Sequence, residues 1–294
     1  MSTTRVATWA RIGADVNSCN NNLEEILKAA NLDYIVESRP VTIDGISGAN
    51  DRFHAVVRNT DNHVYNIAKK SYTICQNADA FSMVNMLKED VNIVRAGETE
   101  SGMIYMIGEL PEISVLGDAF KPHLIIQNSH TADFALKTAI VPLRVVCQNQ
   151  YSVAFKEAKN TQTIRHTSSI NSAILEANIA LESAYNYLKV FGHKAEELSM
   201  KKVNANSLIN KMFEVPPEAT ARSADRIEAN KQEFLNIYNN DDNGNFRGTA
   251  WGLLNAATDY ETHKSSTRSS DENKFVATIA YPEFTRRVMS LINA

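Results

Sequence analysis

The stretch Thr163-Ile-Arg-His-Thr-Ser-Ser-Ile170-Asn-Ser-Ala-Ile174-Leu-Glu-Ala177-Asn-Ile-Ala-Leu181-Glu-Ser-Ala184-Tyr-Asn-Tyr-Leu188-Lys-Val-Phe191-Gly-His-Lys-Ala195-Glu-Glu-Leu198 divides two kinds of sequence. From Ile170 the residues Ile170, Ile174, Ala177, Leu181, Ala184, Leu188, Phe191, Ala195 and Leu198 step alternately by four and three, which predicts one long helix with Gly192 as its only mild breaker. Such a seam serves a coiled coil between subunits or a helix laid across a sheet. The second is expected, because the residues upstream read as strands. Phe53–Arg58 and Val64–Ala68 flank the turn-forming Asn59-Thr-Asp-Asn62 and predict a hairpin. Val91–Val94, Met103–Leu110, His123–Gln127 and Leu136–Val146 are aliphatic runs broken by Gly97, Gly102, Pro111, Gly117 and Pro122, an antiparallel meander. Pro142 inside the last run predicts an edge, a bulge or two shorter strands.

Helices are expected over Asn22–Ala30 and over Asn77–Leu87, the second with Asn77 as N-cap. Downstream, Ala224, Ile227, Lys231, Phe234 and Tyr238 form one helical stripe and Ala250, Leu253, Leu254 and Ala257 another, and a short helix closes the chain near Phe284–Ile292. The fold class is therefore α+β: an antiparallel β-meander backed by helices, a long helix after the sheet, and a helical C-terminal portion. The expected division is a β-rich α+β core over residues 1–168 and a helical region over 169–294, packed on the core or on a neighbouring subunit.

The 294 residues are 44% hydrophobic and 22% charged, proportions that build a sizeable core and exclude fibrous or wholly disordered classes. Cys19, Cys75 and Cys147 are odd in number and widely spaced, so neither a disulfide framework nor a zinc knuckle is expected, and a reducing cytosol fits. The opening Met1-Ser-Thr-Thr-Arg5 has no basic region followed by an apolar core, and the apolar run around Ala139–Cys147 is interrupted by Pro142 and Arg144, so neither secretion nor membrane insertion is expected.

Net charge is −4, but Lys121, Lys137, Arg144, Lys156, Lys159 and Arg165 face only Asp133 and Glu157 between residues 119 and 170. A local excess of this kind attracts a polyanion. No dinucleotide-binding, P-loop, zincin or nucleophile-elbow motif is present. Asp241-Asp-Asn-Gly-Asn245 has calcium-like spacing but carries Phe246 and Gly252 where a calcium loop requires Gly and Glu, so a polar turn is the better account. His130, Cys147 and His166 form a nucleophile or metal site only if the fold brings them together, and the bland alternative is a buried thiol with histidines bonded to backbone. Neither a metal nor a cofactor is expected. For nucleic acid, Lys121, Lys137, Arg144, Lys156, Lys159 and Arg165 are the expected phosphate contacts, with Tyr151 and His166 near bases. A Tyr151/Phe155 helical core pair is the competing account of the aromatics.

The blocks Asn128-Ser-His130, Pro142-Leu-Arg-Val-Val-Cys-Gln-Asn149, Ile164-Arg-His-Thr167 and Gly248-Thr-Ala-Trp-Gly-Leu-Leu-Asn255, followed by Thr258, Tyr260 and His263, resemble in order and spacing the phage- and plasmid-borne domain-of-unknown-function family 932. The segment Trp9-Ala-Arg-Ile-Gly13 departs from the family's usual Gly- and His-richer opening. The resemblance implies a mobile-element origin and a bacterial cytosol, and it supplies no active site. The meander followed by a long helix is also similar in layout to phage single-strand annealing proteins of the Red-beta and RecT type, which implies a homo-oligomer holding DNA in a basic groove. The expected function is non-enzymatic binding of single-stranded nucleic acid in annealing, recombination or replication. A Cys/His- or metal-dependent enzyme acting on nucleotides or protein, and an interaction protein that blocks a host defence complex, are the alternatives.

Overall fold

The computed structural model describes residues 12–44, 48–86, 91–100, 102–131, 136–144, 152, 161–164, 170–263 and 282–294. In chain order, β1 (Ala14–Asp15) and α1 (Leu23–Ala29) lead to β2 (Val36–Pro40), and α2 (Ala49–Arg52) precedes the hairpin β3 (Phe53–Arg58) and β4 (Val64–Lys69). The short α3 (Asn77–Ala80) is followed by β5 (Asn92–Glu98), β6 (Met103–Glu109), β7 (Ile113–Val115), β8 (Asp118–Ser129), β9 (Leu136–Arg144) and β10 (Thr161–Ile164). Among the described residues, five helices follow: α4 (Ile170–Met200), α5 (Ala205–Met212), α6 (Ala221–Tyr238), α7 (Ala250–His263) and α8 (Glu283–Asn293).

The strands form two antiparallel sheets, a large one in the order β1-β5-β6-β8-β9-β10 with β7 beside the start of β8, and a small one in the order β2-β3-β4. The expected meander is thus present, with β1 added at one edge. Side-chain alternation gives the large sheet two faces. Ile104, Met106, Leu124, Ile126 and Ile140 belong to the main core, which continues through Phe191, Trp251, Leu254 and Val288 of the helices. Met103, Tyr105, Ile107, Ile125, Ala139 and Val141 form a smaller cluster on the opposite face with Ile12.

Pro142 neither divides β9 nor bulges it. It lies directly opposite Pro122 in an unbroken register from Phe120↔Arg144 to Gln127↔Lys137. Pro122 presents its carbonyl to Leu110 N at 2.9 Å, and a strand residue's N and C=O point the same way, so the missing N–H of Pro122 faces away from β9. The pair is a non-hydrogen-bonded one, and Pro142 faces outward beyond the residues β10 engages, Leu136–Ala139. The ladder loses nothing.

The long helix α4 spans the predicted seam and packs on β9, β10, α7 and the turn Ser82–Met86. Phe191 bridges the layers, with its ring 5.5 Å from that of Phe120 on the sheet and 5.9 Å from that of Trp251 on α7. Tyr187, Phe191, Ala195 and Leu198 are buried, so Tyr187 replaces Leu188 as the core residue one turn back. An α-helix drifts against a strict heptad, and this shift is that drift.

The expected helix over Asn77–Leu87 is instead four residues of α3 followed by a 3-10 turn, Ser82–Met86. Asn77 is not its cap. Gln76 holds that position and makes no capping bond; its side-chain amide pairs with Val36 N and O at 3.0 and 2.8 Å and so finishes the edge of β2. Asp241–Phe246 is a 3-10 turn in which buried Asn243 donates to the carbonyls of Tyr238 and Gly252, both at 3.0 Å, which gives the polar segment a structural role. Among the described residues, no helix is long and apolar enough to cross a membrane.

Candidate functional site

The cations expected to meet phosphate divide between the two faces of the large sheet. Lys121 and Lys137 share the face of the smaller cluster, because Lys121, His123, Ile125 and Gln127 alternate outward together and Lys137 lies opposite Gln127. Six residues of strand separate them, about 20 Å at ~3.3 Å per residue. Lys121 is ion-paired to Glu109 at 2.5 Å, and buried His123 lies 3.7 Å from the same carboxylate. The His123 imidazole and the Lys121 ammonium hold the Glu109 carboxyl down at about 2. Lys137 lies opposite Thr163 of β10, whose side chain is exposed.

Arg144 takes the other face. It is 6% exposed, paired to Asp118 at 2.8 Å and donating to Asp242 O at 3.2 Å. A guanidinium held in this way is a brace between β8, β9 and the turn before α7, so the expected phosphate contact at Arg144 is replaced by a structural one. Tyr151, Lys156, Lys159, Arg165 and His166, together with Cys147 and Phe155, lie outside the described residues.

The Arg144 brace joins two of the sequence blocks. Arg144, Asp242, Asn243, Asn255 and Asp259 line a small polar cleft where the end of β9 meets α7. Gly252 is required there, since a Cβ would come within 2.1 Å of Phe246 O.

A second constellation lies where the inner face of the small sheet meets the ends of β5 and β8. The hairpin register slips by one residue between Val56↔Asn66 and Val57↔Val64, leaving Tyr65 as a bulge. Bulges re-aim side chains, and here the Tyr65 hydroxyl reaches Glu98 at 2.8 Å and Tyr34 at 2.9 Å. Tyr34 also donates to Glu98, at 3.1 Å, and Arg58 completes the set with Nη1 on Glu98 at 2.8 Å and a bidentate fork on Asp61 at 2.9 Å. The guanidinium lies 5.1 and 5.6 Å from the ring centroids of Tyr34 and Tyr65. Burial pushes the Tyr34 phenol up to about 12 and Tyr65 further up, so both stay neutral donors rather than nucleophiles.

His130 sits behind this set, 0% exposed, with Nε2 2.8 Å from Asn77 Oδ1. Asn77 Nδ2 donates to Leu32 O at 2.8 Å, which leaves Oδ1 as the acceptor and makes Nε2 of His130 the protonated ring nitrogen. Of the three residues considered for nucleophilic or metal chemistry, only His130 is described, and its geometry is that of an internal tie. Burial pushes the Cys75 thiol up to about 12, the opposite of an activated thiol. No cluster of three or more His, Cys, Asp or Glu suited to a metal is found among the described residues.

The Asn128-Ser-His130 block was the one sequence signal pointing here. Tyr34, Arg58, Tyr65, Glu98 and Asn77 were not read as a set because their meeting depends on a bulge and on the docking of two sheets. Comparison with curated proteins and with solved structures gives no match. A family model described as Domain of unknown function (DUF932) matches residues 64–279, most of the chain and all four of the quoted blocks, and the chain belongs to that family.

Proposed function

We propose that the chain is a mobile-element protein of a bacterial cytosol that binds single-stranded nucleic acid without catalysis and aids annealing, recombination or replication. The observation that supports this reading is the register of β10 on β9. Thr163 pairs with Lys137, and in sequence Lys159 precedes β10 by two residues while Arg165 directly follows it. Lys137 is therefore set on a short strand pair at the border of the large sheet, and Lys159 and Arg165 adjoin β10 in sequence, on the chain's most cationic segment. Lys121 shares the face of Lys137. Arg144 is left out of the contact set because its guanidinium is already committed.

The test is anisotropy of a labelled single-stranded oligonucleotide with the purified full chain. Binding should weaken by about a hundredfold between about 50 and 200 mM salt, as ~0.7 counterions are released for each of about five contacts. Lys137→Glu should weaken binding further while leaving the circular dichroism spectrum unchanged. Absent binding, or binding indifferent to salt, would overturn the proposal.

A further inference from the structure

We propose that the polar cleft between the end of β9, the turn Asp241–Phe246 and α7 binds one hard divalent cation, Mg²⁺ or Ca²⁺, through side-chain oxygens of Asn243, Asp242 and Asp259. This is independent of nucleic-acid binding. Asn243 carries the argument. Its Nδ2 is spent on the carbonyls of Tyr238 and Gly252, both at 3.0 Å, and two acceptors on one side fix which way the amide is turned. Oδ1 is therefore the group that Asn243 offers to the cleft it lines, and it is buried, on a residue 4% exposed, without a hydrogen-bond partner. An acceptor kept from water with no donor in reach is costly, and a bound cation removes that cost.

Charge, donor type and size select the guest. Arg144, the one cation among the lining residues, is matched by Asp118 at 2.8 Å, so Asp242 and Asp259 set the charge of the cleft among the described residues. The guanidinium also donates to Asp242 O at 3.2 Å and so braces the turn that carries two of the three oxygen donors. With two carboxylates and an amide, and no imidazole or thiol among the lining residues, the set is that of Mg²⁺ and Ca²⁺ rather than of zinc or copper. The cleft has room for about one atom-sized guest, too little for an organic ligand. Asp242 is exposed, so water reaches the site and completes the shell, as it usually does for Mg²⁺ held by one or two carboxylates. Asp241 and Asn245 are exposed and outside the lining set, which distinguishes the site from a calcium loop.

Isothermal titration of the full chain, stripped with a chelator and free of nucleic acid, with MgCl2 and with CaCl2 tests the proposal. One equivalent of either ion should bind, with a dissociation constant of about 0.1–1 mM for so few protein ligands. At ten times that constant the melting temperature should rise by about 2–4 °C. Asp259→Asn and Asp242→Asn should each weaken binding about tenfold or more, the second, at an exposed position, without changing the melt of the ion-free chain. Asp33→Asn, at an exposed acid outside the cleft, should leave the affinity unchanged. Binding of neither ion would overturn the site and leave the cleft to water, and affinity retained in either cleft variant would overturn the assigned donors.

Discussion

Glu98 is where single-residue energetics are most concentrated, because one carboxylate accepts from two phenols and a guanidinium. Removing an acceptor that several buried donors share costs more than removing any one donor, since each donor is then left without its partner. Tyr65→Phe should therefore lower stability by about 1 kcal/mol, and Glu98→Ala by about 3 kcal/mol, both read from urea midpoints at constant slope. Near-equal losses would show that the bonds act singly. Glu109 supplies the pH prediction. Its folded value of about 2 lies below the usual 4.5, so its contribution is fully present above about 4.5 and is lost as pH falls through about 2. Glu109→Gln should flatten the decline of the urea midpoint across that window. Little of this was readable in advance. Acid, phenol and guanidinium come from strands 40 and 33 residues apart in sequence, and no local pattern marks them as neighbours.

At the level of elements, legibility followed from whether a segment's signal is local. The β3-β4 hairpin was readable because Asn59–Asn62 carries turn residues between two apolar runs, and α4 was readable because its seam repeats over many turns. β2 was not, since Val36-Glu-Ser-Arg-Pro40 offers the core only Val36 and is a strand through its pairing with β3. α8 shows how an element is fixed by partners distant in sequence. Glu261 of α7 accepts from Phe284 N and Thr285 N, both at 3.0 Å, and Lys201 donates to Ile292 O at 2.6 Å. An anion at the helix start and a cation at its end both complement the macrodipole, while Phe284, 4.7 Å from the Tyr260 ring, anchors the start of the helix in an aromatic cluster. Lys201→Met should cost about 1 kcal/mol, detected as faster hydrogen exchange in the last turn of α8 before any change in the global melt. Gly252→Ala tests the neighbouring contact. The added methyl must displace the Phe246 carbonyl, and a loss of about 1–3 kcal/mol is expected, against the small gain that Ala brings to an open helix position.

For the molecule as a whole, the sign of the net charge and the proposed ligand pull in opposite directions. A chain of net charge −4 repels a polyanion at long range, so binding must come from cations brought close together at short range. The two sheet faces matter for this reason. One face of the large sheet is taken up by the α4 and α7 layer, with Arg144 locked beneath it; on the other, His123, Ile125 and Gln127 are buried between Lys121 and Lys137, so these two cations lie at opposite borders of that face. Lys121 has to leave Glu109 to reach a phosphate, and Glu109 then opposes the ligand. Replacing Lys137 with Ala should lower the magnitude of the salt slope by up to about 0.7, one phosphate contact on a single strand, and Lys121→Ala by no more than that. Glu109→Gln, which frees Lys121, should raise affinity at low salt and increase the slope. Parallel titrations of the three variants over one salt series decide the matter, because equal slopes in all of them would mean that this face takes no part in binding.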